Sequence, residues 1–168
     1  MAVVNNVTRM LDAKKIPYQA FELPAEKLGA EETARILGVS PSVVFKTIVV
    51  KRFTPGTKPI LAVIPGDCEL DEKKLAALLG EKKVQVPSQR EAEEMTGLLA
   101  GGISPLALIN RGFQIWIDEK AMRLDFIHVS GGQRGLNIRL KPQDLVRLTQ
   151  ARLGDLSSSK GFQEGDDK

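Results

Sequence analysis

Val7, Met10 and Leu11 recur at helical spacing behind Asn5 and Asn6, two residues suited to capping a helix, and Pro17 stops the run. This predicts a short first helix over 6–15. Tyr18 to Glu22 alternates loosely in polarity, as a strand does, and Glu31 to Leu37 returns to a helical pattern closed by Gly38. After the turn Ser40-Pro41-Ser42 comes the strongest strand signal, Val43 to Lys51, rich in β-branched residues. It is expected to pair with Ile60 to Ile64 through a loop containing Thr54-Pro55-Gly56-Thr57. Leu70, Leu75, Leu78 and Leu79 predict a helix ended by Gly80, and Lys83 to Val86 a strand. Ser88 with Glu91 reads as a capping box opening a helix over 89–96, with Gly97 at its end.

Beyond Gly101-Gly102-Ile103-Ser104-Pro105, strands are expected at Leu106 to Ile109, Gln114 to Ile117 and Asp125 to Val129. Another, Leu136 to Leu140, follows the glycine-rich turn 131–135. Pro142 suits the first turn of a last helix, with Leu145, Leu148 and Leu153 as its apolar positions and Gly154 beyond its end. Strands outnumber crossover helices, so the fold class is α/β, with a mixed, partly closed sheet surrounded by short helices. One domain is expected over 1–155, followed by a polar, disordered tail over 156–168.

Composition narrows the function classes. With 168 residues and 42% hydrophobic positions, the chain supports one well-buried core. No apolar run approaches the roughly 18 residues of a membrane span, and the first residues lack a signal-peptide layout, so a cytoplasmic protein is expected. Cys68 and His128 are the lone cysteine and histidine, which excludes a disulfide within the chain and argues against a metal site; no cofactor is expected. A net charge of +3 permits phosphate-bearing partners without itself indicating nucleic acid.

One residue type is out of place. Alternation along the fourth predicted element, the strand Val43 to Lys51, sets Lys46 on a face with Val44, Ile48 and Val50. A lysine in an apolar row needs a carboxylate, a set of carbonyls or a ligand, because burying a lone ammonium is costly. Two readings fit equally: a snorkelling or ion-paired structural lysine, or a pocket residue. The glycine pairs Gly101-Gly102 and Gly131-Gly132 would let backbone groups approach a ligand, but alone they are more often plain turn geometry. Neither forms a nucleotide-binding fingerprint. Cys68 reads as an inert small residue and His128 as a packed or rim histidine, so no nucleophile dyad emerges.

Taken in order, Val44-Phe45-Lys46-Thr47-Ile48-Val49, Gly101-Gly102-Ile103-Ser104-Pro105 and Val129-Ser130-Gly131-Gly132-Gln133-Arg134-Gly135-Leu136 resemble the YbaK/EbsC family of freestanding aminoacyl-tRNA deacylases. The resemblance spans about residues 5–153 and extends to the editing domain inserted in bacterial prolyl-tRNA synthetases. It implies hydrolysis of the ester of a mischarged tRNA, above all cysteine on the proline tRNA, with aminoacyl-tRNA as the partner and prolyl-tRNA synthetase as a second one. It also implies that Lys46 lines the pocket as the catalytic residue and that Gly101, Gly102, Ile103, Ser104 and Pro105 hold the reactive end of the substrate. By the same resemblance Ser130, Gly131 and Gly132 border the pocket, and a cysteine substrate's own thiol attacks the ester while the protein positions the groups.

The chain departs from the family pattern at three places that bear on the substrate-binding set. Leu23 stands where an aromatic is expected, Asn137 where an aspartate is expected, and Leu106 to Asn110 where a glycine and basic residues are expected. An asparagine cannot serve as base or counter-charge. The alternative to a deacylase is therefore a non-catalytic module that binds a tRNA end or an aminoacyl group, or an adaptor of a synthetase.

Overall fold

In the computed structural model, which describes residues 3–160, the helices begin and end where local chemistry dictates. Helix α1 (Asn6–Ala13) is opened by a reciprocal cap in which Asn5 Oδ1 accepts from Thr8 N at 3.0 Å and Thr8 Oγ1 accepts from Asn5 N at 2.9 Å. Helices α2 (Ala30–Leu37), α3 (Glu72–Leu79) and α4 (Gln89–Thr96) each stop at a glycine in the left-handed region, Gly38, Gly80 and Gly97. Helix α5 (Pro142–Thr149) starts with proline in its first turn and stops at Gln150, with φ of 54°.

The described residues also form ten strands: β1 (Tyr18–Glu22), β2 (Phe45–Arg52), β3 (Ile60–Pro65), β4 (Cys68–Leu70), β5 (Val84–Gln85), β6 (Gln114–Asp118), β7 (Ile127–Ser130), β8 (Leu136–Leu140), β9 (Arg152–Gly154) and β10 (Ser157–Ser159). The main sheet runs β5-β2-β3-β6-β9; β2 is antiparallel to β3 and β5, whereas β3, β6 and β9 run parallel. A second, antiparallel sheet runs β1-β8-β7, and a single parallel bridge from Val44 to His128 joins it to the start of β2. The expected α/β class with a mixed, partly closed sheet and short helices is what forms.

The alternation of β2, β3 and β6 divides the core. Phe45, Val49, Leu61, Val63, Ile115 and Ile117 point to one side, where α1, α5 and the inner face of the second sheet cover them. Val50, Ile60, Ala62, Ile64 and Trp116 point to the other, beneath Leu75 and Ala76 of α3 and Leu156.

Several expectations fail for identifiable reasons. Leu106 to Ile109 is a run of turns, not a strand: Leu108 N and Arg111 N bond back to Pro105 O and Leu108 O at 3.3 and 3.2 Å. Its two leucines, 3% and 1% exposed, satisfy the apolar pattern by burial alone. Leu70 belongs to β4 and Leu153 to β9, because Asp71 caps α3 behind the first and Gln150 ends α5 before the second. The Ser88–Glu91 box is half formed: Glu91 N bonds to Ser88 Oγ at 3.2 Å, while the Glu91 carboxylate goes to Lys51. The expected disordered tail does not begin at 156. Leu156 and Ser157 are 0% and 1% exposed, β10 pairs with β4, and the buried Asp118 carboxylate accepts from Leu156 N and Ser157 Oγ at 3.1 and 2.7 Å. The remaining tail, 161–168, lies outside the described residues.

Candidate functional site

Five segments converge at the N-terminal end of β2 to enclose a cavity of about 240 Å³. They are the start of β2, the N-terminal turn of α2, the segment Leu23 to Gly29, the loop at Ala100 to Ile103, and the facing ends of β7 and β8. Of the candidates from the sequence, Lys46, Leu23, Gly101, Ile103, Ser130 and Asn137 line it.

The others stand behind the wall. Ser104 is fully buried and its Oγ accepts from Leu106 N at 3.1 Å, which turns the chain at Pro105. A Cβ on Gly102 would meet Gln133 Cα at 2.9 Å, so the two glycine turns pack backbone on backbone. Gly131 is pressed against the Leu136 side chain, and Gly132 against Ala107 and Val7.

Polar contacts tie the same two turns together. Arg134 Nε donates to Ala100 O at 2.6 Å, and Ser130 Oγ to Gly101 O at 3.4 Å. Asn5, beyond capping α1, donates through Nδ2 to Gly131 O at 2.9 Å and to Gln133 Oε1 at 3.1 Å. Arg134, Asn5 and the α2 turn at Gly29 to Thr33 were not legible as site residues. Their only signals in the sequence, a basic residue in a turn and a helix cap, are shared by many structural positions.

Lys46 carries the cavity's positive charge. Half-buried at the rim, it makes no hydrogen bond or ion pair among the described residues. Burial holds its ammonium below the usual lysine range, the nearby Lys160 adds to the shift, and Glu31, Glu69 and Cys68 oppose it. Glu31 is itself paired with Lys160. The backbone supplies further donors. Gly102 N is engaged by Leu99 O at 2.8 Å, Gly131 N by Leu136 O at 2.9 Å and Gly132 N by Ser130 Oγ at 3.3 Å. The N–H groups of Gly101 and Ile103, on the cavity wall, carry no such bond among the described residues.

Asn137 is 5% exposed, and its Oδ1 lies 2.8 Å from Nδ1 of His128, itself 4% exposed. His128 is thus a packed histidine, held below its usual range first by burial and then by Arg139, with the Asn137 bond opposing. Cys68 is buried, which pushes its thiol up and keeps it unreactive. No group of histidine, cysteine, aspartate or glutamate suited to a metal ion occurs among the described residues. The cavity therefore brings together one ammonium and two amides without such a bond, with Glu26, Thr33, Thr47 and Ser130 also on its wall, but no cysteine or histidine lines it among the described residues.

Known proteins resemble the chain along most of its length. The chain is 36% identical over 159 residues to a protein of Enterococcus faecalis named as a candidate Cys-tRNA(Pro)/Cys-tRNA(Cys) deacylase, EbsC, covering 92% of this chain and 94% of that one. A proline–tRNA ligase of Maridesulfovibrio salexigens is 33% identical over 99 residues, which span 59% of this chain and 16% of the ligase. The crystal structure of a hypothetical protein, APE2540, superposes with a TM-score of 0.83 at 26% identity, covering 92% of this chain and all of that one. The aminoacyl-tRNA editing domain model matches residues 25–148, most of the described chain, and the chain belongs to that family.

Proposed function

We propose that this chain is an aminoacyl-tRNA deacylase that removes the amino acid from mischarged tRNA, with Cys-tRNA(Pro) or a similar small-amino-acid tRNA as substrate. The observation that carries the reading is Lys46, a half-buried ammonium without a carboxylate partner at the mouth of a small cavity. Lys46 Nζ and the N–H groups of Gly101 and Ile103 hold the ester carbonyl and stabilise the oxyanion that develops on it. Gly102, Ser104, Pro105, Gly131 and Gly132 act as the scaffold of these donors, and Ser130 and Leu23 shape the space for the amino-acid side chain.

With Asn137 tied to His128, no carboxylate stands at that position to act as a base, and in this reading the nucleophile comes from the substrate. The cysteine thiol sulfur adds to the ester carbonyl, the ribose oxygen leaves with a proton, and water then opens the released cyclic thioester. The protein's contribution is orientation and charge, which together reach large rate factors without a covalent intermediate on the chain. This reaction belongs to the cytoplasm, where charged tRNA circulates. Prolyl-tRNA synthetase, whose proline tRNA would be the carrier, is the expected partner.

The test is a single-turnover panel of charged tRNAs with and without added prolyl-tRNA synthetase. Release of cysteine or another small amino acid, lost in Lys46→Ala, supports the reading. Binding without ester loss on any member would replace it with the second reading, a module that only binds a tRNA end, which the neutral Asn137 favours.

A further inference from the structure

The outer face of the second sheet carries more than the cavity uses. Register sets Phe21, Asn137 and Ser130 in one cross-strand row and Gln19, Arg139 and His128 in the next, all on the side away from the core. Asn137 and Ser130 line the Lys46 cavity. Phe21, Arg139 and His128 instead line a second, open groove of about 600 Å³, with Leu37, Val43 and Phe126 among its other walls. The His128–Asn137 hydrogen bond is the partition between the two spaces.

The groove's chemistry is that of a flat, polar-edged ring. Phe126, 39% exposed, lines the groove and has the Arg139 guanidinium 4.1 Å from its ring centroid. Phe21 lies 5.6 Å from the His128 ring, and together they make a second aromatic wall. With Asn137 Oδ1 accepting from Nδ1–H, the neutral imidazole presents Nε2 as an acceptor, and Nε2 has no protein partner among the described residues. One guanidinium and one carboxylate, Arg139 and Asp125, leave the groove without the excess positive charge that would favour a phosphate.

We propose that this groove is a subsite for one unpaired nucleobase of the RNA strand whose 3′ end enters the Lys46 cavity, the base stacking on Phe126 and presenting a ring-edge N–H to His128 Nε2. The inference rests on the deacylase reading for its choice of occupant. It adds a base-binding position outside the catalytic cavity, joined to it through Asn137.

Single-stranded RNA hexamers ending in adenosine, each with a natural base or an abasic sugar at one of the two preceding positions, supply the probe for fluorescence anisotropy. For wild type, the abasic sugar at one of those positions is expected to weaken binding about fivefold or more, the scale of a lost base–aromatic stack. Phe126→Ala erases that difference, and His128→Phe, which keeps a ring but removes the acceptor, reduces it. Equal affinity for natural and abasic hexamers in wild type overturns the proposal, as does an unchanged ratio in Phe126→Ala, the outcome expected if the groove serves another partner. If Lys46-dependent deacylation persists while the base effect is absent, only the subsite fails. If the base effect stands without deacylation, only the hydrolytic reading fails.

Discussion

The two ends of β2 carry cations in opposite circumstances. At its C-terminal end Lys51 Nζ meets Glu91 Oε2 at 2.6 Å, and Arg52 Nε meets Glu81 Oε2 at 2.8 Å, where Thr54 Oγ1 also donates to Glu81 Oε1. At the N-terminal end Lys46 is half-buried and has no such partner among the described residues; the nearby Glu31 is taken by Lys160. The same strand therefore completes two ion pairs and leaves a third cation with its charge directed at a cavity. The cations at one end belong to folding. The one at the other end is held at a cost to the fold, as charged groups awaiting a ligand often are.

Substitutions along β2 sharpen this contrast. The largest effect is expected for Lys46→Ala, a loss of about 10²–10³ in single-turnover deacylation, with Tm from thermal unfolding equal to or above that of wild type. A Tm loss as large as the activity loss would make Lys46 structural and dissolve the contrast. The pH profile carries the same sign. A depressed lysine pKa means the ammonium is lost at a lower pH than the ordinary 10.5, so the alkaline limb of kcat/KM lies below that value in wild type. Over the interval between the depressed and ordinary values the unfolded chain holds the extra proton, so Lys46 makes wild-type stability rise with pH there and Lys46→Ala lacks that contribution.

Gly102→Ala comes next. Its methyl group meets the Gln133 backbone at 2.9 Å, and the shift needed to relieve that contact moves the Gly101 and Ile103 donors. A loss of about 10² in rate is expected from such misplacement, with the RNA affinity less affected. Arg52→Ala is expected to lower Tm by about 5 °C, leaving the rate per folded molecule unchanged, since it uncouples β2 from the Glu81 carboxylate far from the cavity. Lys51→Ala is the smallest change, below about 2 °C, because its pair with Glu91 is solvent-exposed. Rate loss in either C-terminal variant at constant folded fraction would break the division between the two ends.

Much of this was legible along the chain. The 3.6-residue and two-residue periods of apolar positions, the asparagine and serine caps and the glycine stops located all five helices and the long strands. They report local preferences, which each segment carries with it. Elements failed where only a neighbour decides. Leu106 and Leu108 alternate like a strand but are buried within turns, and Ser157 to Ser159 is polar yet becomes a strand because Asp118 and β4 are waiting for it. At the site, the misfit of Lys46 in an apolar row was visible, as were the glycine turns. That Gly102 and Gly132 have engaged amides while Gly101 and Ile103 do not was invisible, since it depends on Leu99 O and Ser130 Oγ.

The sequence by itself determined the helices, the long strands and their order, the oddity of one lysine and the absence of a nucleophile dyad, because these depend on residue types and short-range spacing. Only the tertiary structure decided which cations would be neutralised. Glu91 and Glu81 lie about 40 and 30 residues from their partners in the chain, and it is the packing of α4 and the end of α3 onto β2 that brings them to Lys51 and Arg52 and leaves Lys46 uncovered.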